Sequence, residues 1–171
     1  TLVDLNAISV SKGPGSYTGL RIGVSTAKGL SYSLNLPLIS VPTLQSMAFY
    51  MSKKKSNYDL YCPMIDARRM EVFSSFYDKD NNQLRAVMAD IIDENSYNTF
   101  LDKKILFFGD GSEKCKGIIK LKNTSFIDDI YPSASDMSEL SLKKFKNNYF
   151  EDVAYFEPFY LKDFVVGKKK N

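Results

Sequence analysis

Apolar and polar positions alternate along this chain in a pattern that changes period several times. Ala7-Ile8-Ser9-Val10 is a short apolar, β-branched run that predicts a buried strand. Gly13-Pro14-Gly15 follows, a turn that cannot continue a strand, and Ser16 and Thr18 are helix-capping residues. From Ile22 to Leu34 the spacing becomes helical and Asn35 ends it. Leu36-Pro37-Leu38-Ile39-Ser40-Val41 predicts a second buried strand, with Pro37 at its start. Strand, helix, strand in this order implies a right-handed parallel crossover. Thr43 is then expected to cap a second helix carrying Leu44, Met47, Ala48 and Met51.

The polar break Lys53-Lys54-Lys55-Ser56-Asn57 reads as a solvated loop and as the boundary between two lobes, 1–55 and 56–171. Beyond it, Leu60 to Ile65 and Met70 to Tyr77, joined by Asp66-Ala67-Arg68-Arg69, predict an antiparallel hairpin. Asp78-Lys79-Asp80-Asn81-Asn82 is a second turn, and Gln83 to Met88 extends the meander. Ser96 to Leu101 suggests a short helix. Lys104 to Phe108 reads as a strand, followed by the turn Gly109-Asp110-Gly111-Ser112 and a helix over Glu113 to Lys120. Ser133 to Asp136 caps a last helix with Met137, Leu140 and Phe145. The aromatic tail from Tyr155 to Phe164 is expected to lie back across the fold, burying Tyr160 and Leu161. Gly167 to Lys170 is expected to be a frayed basic end.

The helix after the glycine turn has a ridge of small residues, Gly19, Gly23, Ala27 and Ser31, every fourth position. Each interior glycine costs about 1 kcal/mol relative to alanine, which is tolerated where a second backbone must come close. Leu20, Val24, Leu30 and Leu34 supply apolar area beside the ridge. Two readings stand: a helix packed only on its own sheet, or one that also docks a partner helix.

Composition narrows the chemistry. The 171 residues are 44% hydrophobic and 25% charged, ordinary for a globular protein with one core or two small lobes. The net charge of +3 gives little footprint for a stand-alone nucleic-acid module. No apolar run is long enough to span a membrane. Histidine is absent, which removes Ser-His-Asp and Cys-His catalysis and histidine-based zinc sites within this chain. Cys62 and Cys115 have no metal spacing, and reduced intracellular thiols are expected.

The glycine loop fits neither nucleotide fingerprint. A Walker A loop needs a Lys-Ser or Lys-Thr pair after the glycines, and a dinucleotide fold needs G-x-G-x-x-G; here Gly13, Gly15 and Gly19 are one residue too long. Bare N–H groups there could still meet an anion. Candidate anion contacts are therefore Gly13, Gly15, Ser16, Thr18 and Arg21, with Arg68 and Arg69 at the hairpin end, where a guanidinium fork matches phosphate. The competing reading of that hairpin end is a salt-bridged surface turn.

Gly13-Pro14-Gly15-Ser16-Tyr17-Thr18-Gly19-Leu20-Arg21-Ile22-Gly23, with Ala27-Lys28-Gly29-Leu30 after it, resembles the signature of the bacterial TsaB (YeaZ) family. Pro63 to Phe73 and Glu157 to Lys162 are similar to that family's second and C-terminal markers, in the same order. The resemblance implies a two-lobed α/β fold of the actin, hexokinase and Hsp70 type (ASKHA, ribonuclease H-like), with mixed sheets flanked by helices. It implies a cytoplasmic, non-catalytic subunit, without cofactor or metal, that pairs with TsaD, with TsaE as a third component. Together these proteins make N6-threonylcarbamoyladenosine at position 37 of tRNAs reading ANN codons. By this resemblance Gly19, Leu20, Gly23, Val24, Ala27, Leu30, Ser31 and Leu34 form the partner-binding face, which can also serve a homodimer, and tRNA is met only through the complex. The family's opening hairpin, strand and first helix precede Thr1, so a shortened chain is expected. The competing function is an ATP-binding phosphotransferase or ATPase of the same fold, with the Gly13 loop and the Asp66–Arg69 turn on phosphate. A stand-alone tRNA-binding module is a third.

Overall fold

The computed structural model describes residues 1–162 of the chain. Two sheets share one helix between them. The smaller sheet pairs β1 (Ile8–Gly13) with β2 (Leu38–Pro42) in parallel, Ile8 opposite Leu38, and α1 (Tyr17–Leu34) is the crossover. Ser16 caps α1 by accepting the Gly19 N–H, and Asn35 closes it in the left-handed conformation at φ 52°. The apolar run of β1 and β2 is buried by α1: Ile8, Val24, Ala27, Leu38 and Phe156 form one core.

The larger sheet has five strands: β3 (Leu60–Asp66), β4 (Glu71–Asp78), β5 (Gln83–Ile91), β6 (Ile105–Phe108) and β7 (Thr124–Ile127), in the order β5-β4-β3-β6-β7. The meander β3-β4-β5 is antiparallel, and β6 and β7 add in parallel. The two-residue period of the strands sorts their side chains. Leu60, Cys62, Met64, Ile105 and Phe107 enter one core with Ile119 and Leu121, whereas Tyr61, Ile65, Leu106 and Phe108 enter the other. That second core is closed by Leu44, Met47, Ala48 and Met51 of α2 (Thr43–Lys54). Burying a side chain of this size contributes about 1.5–3 kcal/mol, and α2 also packs on β1 and β2, so it ties the larger sheet to the smaller one.

Several predicted elements differ. Thr43 does not cap α2; its hydroxyl pairs with Ser11 at 2.6 Å, tying the helix start to β1, and Pro42 occupies the cap position. Glu113 to Lys120 forms only a 3₁₀ turn over Glu113–Cys115, consistent with the helix cost of Gly117, and Ser96 to Leu101 shrinks to one turn at Asn98–Phe100. β7, only four residues long, has no clear signal in the sequence. In the tail the buried aromatic is Phe156, while Tyr160 remains 39% exposed. Gly167 to Lys170, and the tail's Phe164, lie outside the described residues.

The final third returns to the smaller sheet. A 3₁₀ turn at Ala134–Met137 and α3 (Ser138–Lys146) pack on β1, β2 and α2. Glu151 N–H then donates to the Leu38 carbonyl at 2.8 Å, and Ser40 bonds the Glu151 carboxylate. The exposed edge of β2 needs a hydrogen-bonding partner, and a segment more than a hundred residues downstream supplies it.

Candidate functional site

The loop between β1 and α1 is shaped by one close approach. Gly13 has φ +109°, and a Cβ there would lie 2.7 Å from the Phe159 carbonyl oxygen. Only glycine fits both requirements. Phe159 N–H in turn donates to the Lys12 carbonyl at 2.7 Å, so the tail is stitched to the loop.

That stitching builds a notch that adjacency along the chain does not reveal. Gly15, Tyr17 and Leu20 from the α1 start, Arg68 and Phe73 from the β3–β4 hairpin, and Tyr160 from the tail line a cavity of about 280 Å³. The Tyr17 and Tyr160 rings meet at a tilt of 36° with centroids 4.9 Å apart, and the Arg21 guanidinium sits 5.6 Å from the Tyr17 centroid. The structure thus brings Gly15, Arg21 and Arg68 to one place, with exposed Arg69 next in the chain. Gly13 is buried behind them and lines a neighbouring cleft with Lys12, Tyr77 and Phe159. Ser16 is committed to capping, and Thr18 is exposed on the helix side. Tyr160 and Lys162 belong to this site but were not among the candidates; their sequence signals were the aromatic tail and the C-terminal marker Glu157 to Lys162.

Arg68 and Arg69 stand at φ 69° and 49°. Two successive non-glycine residues in the left-handed region are uncommon, and Asn or Gly is the usual occupant. The Asp66 carboxylate supports the turn by accepting the Arg68 N–H at 2.8 Å and by pairing with Lys114. The Lys114 hydrogen bond holds the Asp66 carboxyl below the usual range, against the opposing effect of burial. Lys162 pairs with Glu71. Among the described residues, neither Arg68 nor Arg69 makes an ion pair.

The small-residue ridge of α1 does not stay on one face. Positions four apart advance about 40° per step on a 3.6-residue helix, about 120° over three steps. Gly19 is accordingly exposed and Gly23 half-buried, while Ala27 and Ser31 are buried against β1 and β2. Ser31 Oγ donates to the Leu36 carbonyl, and Val24 is also interior. Those three candidates are therefore occupied by this chain's own core. Leu20, Leu30 and Leu34 are half-buried. Gly19 and Gly23 floor a groove of about 500 Å³ bounded by Val10, Thr43, Ile65 and Pro132. A second stripe faces outward: Ile22, Thr26, Gly29 and Tyr32 are exposed, Tyr32 to 83%.

Among the described residues, no cysteine lines the notch. Both cysteines are free and buried, and burial pushes the Cys115 thiol up to about 11 and Cys62 well above its ordinary value. Among the described residues no three Cys, Asp or Glu side chains gather to hold a metal ion, and no helix is long and apolar enough to cross a membrane.

Comparison with known proteins now places this architecture. The family model described as "TsaD: tRNA N6-adenosine threonylcarbamoyltransferase" matches residues 1–166. A "tRNA threonylcarbamoyladenosine biosynthesis protein TsaB" of Escherichia coli is 32% identical over 178 residues, covering 99% of this chain and 76% of the relative. The chain belongs to the TsaB family. The TsaB protein of Bacillus subtilis is 37% identical over 122 residues, which are 68% of this chain and 52% of that relative. In fold, the chain matches a Pseudomonas aeruginosa structure described as an uncharacterized protein with similarity to peptidase YeaZ, at TM-score 0.81 and 20% identity, over 95% of this chain and 76% of that one. TsaB membership and this likeness agree on the two-lobed α/β architecture of the TsaD-like, ASKHA class.

Proposed function

We propose that the chain acts in tRNA threonylcarbamoyladenosine biosynthesis as a cytoplasmic, non-catalytic subunit. It pairs with TsaD for modification of adenosine 37 in tRNAs reading ANN codons, with TsaE as the third component. The observation that carries the docking role is that α1 contains glycines its own chain does not require. A Cβ at Gly29 would meet nothing within 4 Å, and one at Gly23 would meet only a Val10 methyl at 4.0 Å. Each glycine costs about 1 kcal/mol of helix stability, with no intramolecular contact to offset it. Close approach of a partner helix along Gly19, Gly23 and Leu20, and along Ile22, Thr26 and Gly29, offsets it. The same face serves self-association in the absence of TsaD.

The subunit reading is supported by the lack of an activated nucleophile or histidine beside the notch. The test is co-elution with TsaD on a sizing column, together with transfer to tRNA by each component and by the mixture. Gly29→Leu is expected to leave the melting temperature within a few degrees and to weaken pairing at least about tenfold, about 1.4 kcal/mol. Transfer to tRNA by this protein alone, or unchanged pairing of the Gly29→Leu chain, defeats the reading. Tight binding of ATP with magnesium by the chain alone points to the ATPase alternative.

A further inference from the structure

We infer that the notch between the glycine loop, the β3–β4 hairpin and the tail is a contact site for single-stranded RNA, one base stacking on Tyr160 and phosphates meeting Arg21, Arg68 and Arg69.

Three independent features converge on it. Tyr160, 39% exposed, presents an aromatic surface beside a 280 Å³ recess, large enough to admit part of one base. Base-on-aromatic stacking suits single strands of any sequence because each base has a π-face. Beside that surface stand the guanidinium groups of Arg21, near the Tyr17 ring, and of Arg68, in the notch lining; among the described residues neither makes an ion pair, whereas the nearby Lys114 and Lys162 are matched by Asp66 and Glu71. Unmatched arginines around a stacking platform form an anionic-polymer site. Finally, the hairpin places Arg68 and Arg69 at positive φ, where the local backbone favours Asn or Gly. Among the described residues neither arginine makes an ion pair and both are exposed, so the turn gives up stability to hold Arg68 at the notch, with Arg69 next to it in the chain. The groups of opposite sign at the rim are Asp66, Glu71 and Asp110; the first two are paired with lysine, and Asp110 accepts the Asp66 N–H at 3.1 Å.

The choice of RNA as occupant rests on the proposed role in tRNA modification, while the site itself belongs to this chain's surface. It predicts a contact made without TsaD, weak in isolation and strengthened in the complex. The experiment is fluorescence anisotropy of a labelled oligoadenylate of about 10 nucleotides, titrated with the full chain at low salt and then at rising salt. Tyr160→Ala is expected to weaken binding about 5- to 100-fold. Exchanging Arg68→Asn together with Arg69→Gly is expected to lower affinity and to reduce the log–log salt slope by about 1.4, two phosphate contacts. The same double exchange is expected to raise the melting temperature by about 2–6 °C, since it relieves the backbone. Tyr155→Ala, an exposed tyrosine outside the notch, leaves binding unchanged. TsaD co-elution of each variant is measured alongside, so loss of RNA binding with pairing intact separates this site from the docking face. The proposal is overturned by absence of low-salt binding, by equal affinity of all variants, or by AMP displacing the strand at similar concentration, which marks a mononucleotide pocket.

Discussion

Arg85 and Asp90 lie on β5, the edge of the larger sheet, yet their side chains are only 22% and 13% exposed. Arg85 Nη1 donates to Asp90 Oδ2 at 2.8 Å, and the hydroxyls of Ser74 and Tyr97 donate to the same oxygen. Burial raises the Asp90 pKa, but these hydrogen bonds and the arginine charge outweigh it and leave the carboxyl below its ordinary value. A carboxyl lowered in the folded state contributes stability at pH values above its unfolded pKa and loses it as pH falls through the folded value. Asp90→Asn should therefore cost about 2–4 kcal/mol at neutral pH, since it leaves Arg85 unmatched in a half-closed site. Urea titrations should show the gap between variant and parent narrowing below about pH 4. A gap that persists undiminished to lower pH would assign the loss to packing instead.

At the scale of elements, the proposed docking gives α1 two tasks along one cylinder. Its inward residues Val24, Ala27 and Ser31 cover the smaller sheet, and its outward glycine holds a lane open. These tasks respond oppositely to a single methyl group. Gly29→Ala should stabilise the chain by about 0.5–1 kcal/mol, because the position is exposed and helical with open space around it. The same change should weaken TsaD pairing. Ala27→Gly, in the buried stripe, should instead destabilise folding with a smaller direct effect on pairing. Thermal melts beside co-elution distinguish the two stripes; equal behaviour of both positions would contradict the division.

For the whole molecule, the returning chain closes the smaller sheet. Lys28 Nζ donates to the carbonyls of Ala154 and Phe156, at 3.1 and 2.9 Å, and Lys144 Nζ donates to the Ser40 carbonyl at 2.6 Å. Phe156 completes the small core against Leu38 and Val24. Phe156→Ala should cost about 2–4 kcal/mol and should also loosen the notch, whose Tyr160 lies four residues on. Protease cleavage of the 150–162 segment should rise in step with that loss. Retained protease resistance with the full stability loss would show that the tail is held by its hydrogen bonds rather than by the ring.

The strand, glycine-turn, helix unit and the meander were legible in the residues because their causes are local: period, capping and turn chemistry act over a few positions. Ser16, Asn35, the parallel β1–β2 pair and the β3–β4 hairpin follow from such signals. The family signature was legible for the same reason, being a continuous run around Gly13 to Gly23. Which face of α1 lies inward was calculable from helical drift but not from a four-residue ridge taken as straight. The β2 edge filled by Glu151, the tail clamped by Lys28, and the meeting of Tyr160 with Arg68 were decided by tertiary structure alone. Each depends on contacts between residues about ninety or more positions apart, chosen by which unsatisfied backbone edge and which apolar surface remained after the local elements had formed.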